Sequence, residues 1–428
     1  MSAYLICICS ETGVPIFARK CGDLLPIPFS IAAALQGVSV FGKIQRCKLM
    51  STLTETSRFL WRDFHDRLSF IVACTDDTIT EFHLDNLITN VFNSLVLIIG
   101  FDEIMANKNV DKLKREFKKC YPLIDTFLQG MKVSEKCHHF GDLTRCVDIA
   151  LQNQLPMNYQ PILDQVMEHM NCIYGCFIGN GALLATTKDW ANIPSVDQSL
   201  LVFYSRLVES TCDVGVYLPI SSANVPFRLV IFSPFENIKL CVLCDPELSF
   251  SLMEKEVNKM KKSSGEDFKA FISPAYPFSN SAVYFDIHES ILGFVLVNLD
   301  KKIVAWSVHP NSNGNNSEGV GSSTSFRIGL LRTFYKNLVD AVFQRSYMST
   351  SPVFVSPSPS LFSENDGETA VHNVMESYWA SEFQKCHGTQ YGMYQLFVMF
   401  DPEVTLPVMR HISRKLLSEL AKDKTMRY

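Results

Sequence analysis

One order of elements recurs three times along this chain, and it restricts the fold more than any single motif. In the first pass, apolar runs at 4–10 and 15–19 flank Glu11-Thr12-Gly13-Val14, a hairpin signal. A short helix is predicted over 27–35, with Pro28 suited to its first turn. Strand-like runs follow at 44–54, 58–64 and 68–74, and His65-Asp66-Arg67 marks the last turn. Helices at 84–99 and 110–128 close the unit. In the second of these, Val110, Leu113, Phe117, Tyr121, Ile124 and Leu128 recur at helical spacing and turn one face to a core.

The second pass opens with runs at 172–178 and 182–187 around Gly179-Asn180-Gly181, and Asn-Gly favours a tight hairpin. A helix at 196–209, strands at 214–218, 227–232 and 238–244, and a helix at 248–262 follow. A break at Ser263-Ser264-Gly265 precedes a further turn at 268–272. The third pass has paired runs at 291–298 and 303–308 and a helix at 326–345. Strand candidates lie at 353–355, 371–383 and 391–400, and the last helix covers 404–421. Pro274 and Pro277 disfavour a helix between the second and third units. Of residues 311–325, 12 of 15 are Asn, Ser or Gly, which predicts a solvated loop; the Pro-containing 346–370 reads as another. The expectation is an α/β (α+β) chain of three modules at 1–130, 159–273 and 284–428, with a connector at 131–158.

Composition narrows the classes. The chain has 428 residues, 47% hydrophobic and 19% charged, which excludes a disordered or coiled-coil chain. A net charge of −5 argues against nucleic-acid binding. The most membrane-like stretch, 87–101, is interrupted by Thr89, Asn90, Asn93 and Ser94 and reads as a buried helix. The N-terminal run is short and has no basic residue before it, so no secretory leader is expected, and the 14 cysteines are read as reduced thiols of a cytoplasmic protein.

Signatures of catalysis are absent. There is no phosphate-binding loop, no GxSxG elbow and no HExxH; His288-Glu289 begins the last motif, but Leu292 stands in place of the second histidine. Cys241-Val242-Leu243-Cys244 is a CxxC without a second pair, and on a strand its thiols point to opposite faces, which favours packing over zinc. Cys137-His138-His139 with Cys146 is the best metal cluster by residue type, but its spacing is foreign to zinc modules, so no metal and no cofactor is expected. Asp63, His65 and Asp66 suggest an acid–base group, yet no nucleophile accompanies them and a turn is favoured. Basic sets occur at Lys112, Arg115 and Lys119 and at Lys255, Lys259 and Lys262. They read as solvated faces or, alternatively, as contacts to an anionic phosphoinositide membrane.

Particular residues carry a family resemblance. Thr12-Gly13-Val14-Pro15-Ile16-Phe17, Pro28-Phe29-Ser30, Gly37-Val38-Ser39-Val40-Phe41-Gly42, Phe64-His65-Asp66, Gly100-Phe101-Asp102-Glu103 and Gly141-Asp142-Leu143-Thr144-Arg145 together resemble the Fuzzy family of planar-cell-polarity effectors. The match is dense over 4–148 and thins beyond. The resemblance implies three longin-like domains, each a five-stranded antiparallel sheet flanked by helices. It also implies a non-enzymatic scaffold at the ciliary base, associated with the cytoskeleton and peripheral to membranes. The partners it implies are Inturned and the WD-repeat planar-polarity effector in a CPLANE assembly for ciliogenesis. The pair with Inturned is similar to the Mon–Ccz exchange factors, which implies action on a Rab-family GTPase. Exchange requires only a surface that prefers one state of the GTPase, so it is compatible with missing catalytic motifs. On placement beside a sheet edge, Phe29, Ala33, Val38 and Phe41 are expected to face the partner; the competing reading packs Phe29 and Phe41 beneath their own helix.

Overall fold

The structure is a computed structural model that describes residues 2–23, 27–76, 78–131, 139–155, 157–269, 282–309, 324–339, 375–381 and 384–427. The loop features expected at 311–323 and 346–370 and the strand at 353–355 lie outside these residues. So do the far end of the helix expected at 326–345 and parts of the strand expected at 371–383.

The first sheet runs β2-β1-β5-β4-β3, all antiparallel. Its strands are β1 (Ala3–Cys9), β2 (Pro15–Cys21), β3 (Ser51–Leu53), β4 (Arg58–Phe64) and β5 (Leu68–Cys74). Central β1 is buried on both faces: Leu5, Cys7 and Cys9 enter one core, while Ile6 and Ile8 enter another. That is the alternation a strand imposes. Helix α1 (Phe29–Ile44) covers the smaller core. Helices α2 (Glu81–Ile99), α3 (Phe101–Ala106), α4 (Val110–Phe117) and α5 (Tyr121–Gly130) lie on the larger side. Helix α2 is the one described helix long and apolar enough to cross a membrane, and most of it is buried in this core.

Two expectations in this unit are corrected. The helix at 27–35 continues to Ile44, through the residues expected to begin a strand at 44–54; only Ser51–Leu53 is strand. Val38 and Val40 mimic strand alternation, but the buried positions Ala32, Gln36 and Ser39 follow helical spacing. The single helix at 110–128 is split by a 3-10 turn at Lys118–Cys120, because Pro122 starts a new helix rather than continuing the old one.

After α5 comes a short helix, α6 (Gly141–Thr144), and a two-residue strand, β6 (Val147–Asp148). The second unit has α7 (Gln160–Met170), β7 (Tyr174–Gly179), β8 (Ala182–Thr186), α8 (Lys188–Ala191) and α9 (Ser195–Leu207). It closes with β9 (Cys212–Leu218), β10 (Ser222–Phe235), β11 (Ile238–Cys244), α10 (Phe250–Ser263) and α11 (Gly265–Lys269). Its sheet order, β8-β7-β11-β10-β9, repeats the first. The third unit has α12 (Ala282–Phe285), β12 (Ile291–Asn298), β13 (Ile303–Val308), α13 (Thr324–Leu338), β14 (Met375–Ala380), β15 (Lys385–Tyr391), β16 (Tyr394–Phe400) and α14 (Leu406–Leu420). The strand expected at 391–400 is the second arm of a hairpin whose turn uses Gly392 at φ 56°, and β15 is the arm that sequence reading missed.

Five antiparallel strands form the third sheet, in the order β14-β15-β16-β12-β13, and β6 adds a sixth, parallel to β13. The expected connector therefore carries structure over its described residues. Val147 N–H donates to the Lys302 carbonyl at 2.8 Å, Ile149 N–H to Val304 at 2.9 Å, and Ala150 N–H crosses to Leu183 of the second sheet at 2.9 Å. One apolar core runs without a break from β1 through α2 and α9 to β12 and α14. The three modules thus share a core rather than hanging on linkers.

Candidate protein-interaction surface

Helix α1 is apolar on its exposed side. Residues 29–42 carry no charge, and Lys43 is the first ionisable side chain. The helix buries Ala32, Gln36 and Ser39, two of them polar; Ala32 and half-buried Leu35 pack with Ile6, Ile8, Trp61 and Ile71. Its other large side chains point away: Phe29 is 66% exposed, Phe41 62% and Ile44 71%. Ile31, Val38 and Val40 are exposed as well, and so is Leu53 on the edge strand β3. This inverts the usual amphipathic pattern, in which the apolar stripe faces the core.

Local anchors hold the helix in this orientation. Lys43, in the last turn where a cation opposes the helix dipole, pairs with Asp63 of β4 at 2.8 Å. Partial burial raises the Asp63 carboxyl, but hydrogen bonds from Lys43 and Ser69 and the Lys43 charge outweigh it and hold the group below its ordinary range. The Trp61 indole donates to the Leu35 carbonyl at 3.3 Å.

Of the expected interface residues, Phe29, Val38 and Phe41 are exposed and Ala33 is half-buried. The reading that packs Phe29 and Phe41 under their own helix is overturned by that exposure. Val38 and Phe41 lie within α1 itself, beyond the helix end expected at 35. Ile31, Val40, Ile44 and Leu53 are exposed as well and were not among the expected residues; the uncharged run through residue 42 pointed to them, hidden by placing the helix end too early.

The other sequence candidates separate. Lys112 of α4 pairs with Glu103 of α3 at 2.6 Å and Lys119 of the 3-10 turn with Glu116 of α4 at 2.5 Å, so part of this basic face is neutralised by neighbouring carboxylates. On α10, Lys259 lies 3.5 Å from Glu256, while Arg115, Lys255 and Lys262 are exposed. His65 and Asp66 both adopt positive φ in a tight turn. The His65 ring packs on Phe101 at 4.9 Å, while Asp63 bonds Lys43 and Ser69, so the three do not converge. Cys241 enters one core and Cys244 the other, as strand geometry requires. Cys146 is buried, and desolvation pushes its thiol up to about 12. Cys137 and His138 lie outside the described residues. Among the described residues, no group of three His, Cys, Asp or Glu side chains is placed to hold a metal ion.

Comparison with known proteins bears on the family and the fold. Residues 3–127 match the family model described as the first longin domain of FUZ, MON1 and HPS1, and residues 290–424 match the third longin domain of the same group. The fuzzy homolog protein of Xenopus tropicalis is 31% identical over 427 residues, covering 99% of this chain and 98% of the relative. The fuzzy homologs of Mus musculus and Homo sapiens are 30% and 29% identical, each over 78% of both chains. A three-sheet chain with longin modules at both ends, aligned over nearly its whole length with such a relative, belongs to the Fuzzy homolog family.

Proposed function

We propose that this chain is a non-enzymatic scaffold subunit of a CPLANE-type assembly for ciliogenesis and planar polarity. It pairs with Inturned, joins the WD-repeat planar-polarity effector, and helps a Rab-family GTPase exchange its nucleotide. The uncharged, outward-facing α1 carries this reading. Phe29, Ala33, Val38 and Phe41, with Ile44 and Leu53 beside them, form the partner surface. Fully burying one such large side chain contributes about 1.5–3 kcal/mol, part of which offsets the entropy lost on association. The membership of MON1 in the matched longin group supports the exchange-factor comparison. The GTPase then binds the combined surface of two longin modules, which accelerates release by favouring the open state.

The test is nucleotide release from candidate Rab-family GTPases with this chain alone, with Inturned alone and with both. Acceleration by the pair only is expected. Tight GTPase binding without faster release would make the chain an effector and remove the exchange claim.

A further inference from the structure

A second surface, independent of α1, lies where the connector meets β8. Strand β8 is an edge of the second sheet. At the start of its outer side Ile149 bridges Leu183 in parallel and the Leu183 carbonyl accepts from Ala150 N–H; among the described residues no further backbone hydrogen bond is made on that side. The connector then leaves in the 3-10 turn Gln152–Gln154. Beyond that point the edge borders a cavity of about 410 Å³ at the seam of the second and third modules, a size and location typical of ligand sites.

The lining indicates the ligand. Ile149, Leu184, Ala185, Ile193 and Ile303 supply apolar wall, and Gln152, Asn158, Gln160 and Gln198 supply primary amides. Lys301 is the one basic lining residue, and Asp300 stands next to it, so a phosphate or acidic headgroup meets no net positive charge. Gln160 and Gln198 already donate to the Thr186 and Ile193 carbonyls, but an acyl chain would still set the polar Gln152 and Asn158 side chains against hydrocarbon, which is unfavourable. A primary amide both donates and accepts, as a peptide bond does. Where a neighbouring strand would donate to β8, a side chain stands in: Gln160 Nε2 donates to the Thr186 carbonyl at 2.9 Å.

We propose that this groove binds an uncharged, extended peptide segment of a partner protein as an added strand on β8. The peptide continues the line of residues 147–150, sets aliphatic side chains against Ile193 and Ile303, and displaces Gln160 from Thr186. Main-chain bonds to the edge supply affinity and the apolar wall selects side chains.

The test is fluorescence polarisation of short fluorescein-labelled peptides, alternating Val, Leu or Ile with Thr, Ser or Asn, against the full chain. Saturable binding is expected. Ala185→Trp fills the cavity and should weaken binding at least about tenfold, and Gln160→Ala should tighten it severalfold by removing the competing amide. Ser195→Trp, at a half-buried lining position, replaces Ala185→Trp if that variant fails to fold. The proposal is overturned by an absence of saturable binding below about 1 mM. It is equally overturned by binding that a folded cavity-filling variant retains, by a Gln160→Ala protein that binds no tighter, or by uptake of neutral Nile red with no peptide bound.

Discussion

Arg332, wholly buried in α13, lies 3.1 Å from the Asp142 carboxylate of α6, joining the third module to the segment that follows the first. The same guanidinium donates to the Gly130 carbonyl, and Lys336 Nζ donates to the Met131 carbonyl at 2.5 Å. Two cations of the third module therefore close the C-terminal end of α5, where the helix dipole is negative. Asp148 does the corresponding work for the second module. It accepts from Phe140 N–H at 3.0 Å, Gly141 N–H at 3.1 Å and Arg206 at 2.8 Å. Arg145 reaches back to Asp85 of α2 at 3.4 Å, so this short stretch is tied to all three modules.

Removing one partner of the buried pair leaves the other charge uncompensated. Arg332→Ala or Asp142→Ala should each cost about 3–5 kcal/mol. The double variant Arg332→Met with Asp142→Leu should recover a large part of that loss. Urea unfolding midpoints of the three proteins measure the difference, and a double variant as weak as the sum of the singles would contradict the ion-pair account.

Gly100 sits at φ 92° between α2 and α3, and a Cβ there would approach the Tyr217 ring at 2.8 Å. Gly100→Ala should therefore lose about 2 kcal/mol through strain and clash. Adding Tyr217→Ala should relieve the clash but not the dihedral strain. A thermal-melt cycle of the four proteins reads the coupling, and strict additivity would show that the contact does not matter.

His387 is buried on β15, with Nδ1 2.9 Å from Ser413 Oγ. Burial, with smaller contributions from Arg410 and Arg414 against Glu376, lowers its pKa to about 4 from an ordinary 6.5. Buried His83 is lowered to about 3, again mainly by desolvation. Between those values and 6.5 the unfolded chain binds more protons, so stability falls as pH falls through this window. His387→Gln should remove about 3 kcal/mol of that dependence and leave the part due to His83. Denaturation at pH 7.5 and at about pH 4.5 tests it; an unchanged pH slope in the variant would contradict the assignment.

Phe41→Glu and Ile44→Lys change exposed positions and should shift the stability of the free chain by no more than about 0.5 kcal/mol. Co-purification with Inturned should be lost in both. Undiminished pairing by folded variants would remove α1 from the interface.

The repeated element order was legible because strand alternation and helical spacing are local patterns. Most core strands fall within a few residues of where those patterns place them, and the placement of Cys241 and Cys244 on opposite faces followed from strand geometry alone. The extent of α1 was not legible. Its β-branched Val38 and Val40 satisfy a strand pattern equally well, and only the surface of β1 and β4 beneath Ala32, Gln36 and Ser39 selects helix. That choice turned Phe29 and Phe41 outward.

The sequence by itself determined the three-module α/β plan, the family resemblance and the lack of a recognisable catalytic motif, since each rests on residues near one another in the chain. Tertiary structure alone decided which charges are buried, that residues 139–155 tie the modules together, and where an open strand edge meets a cavity. Those features join residues as distant as Asp142 and Arg332. Their energies depend on desolvation and on close approach, which arise only when separate modules pack on one another.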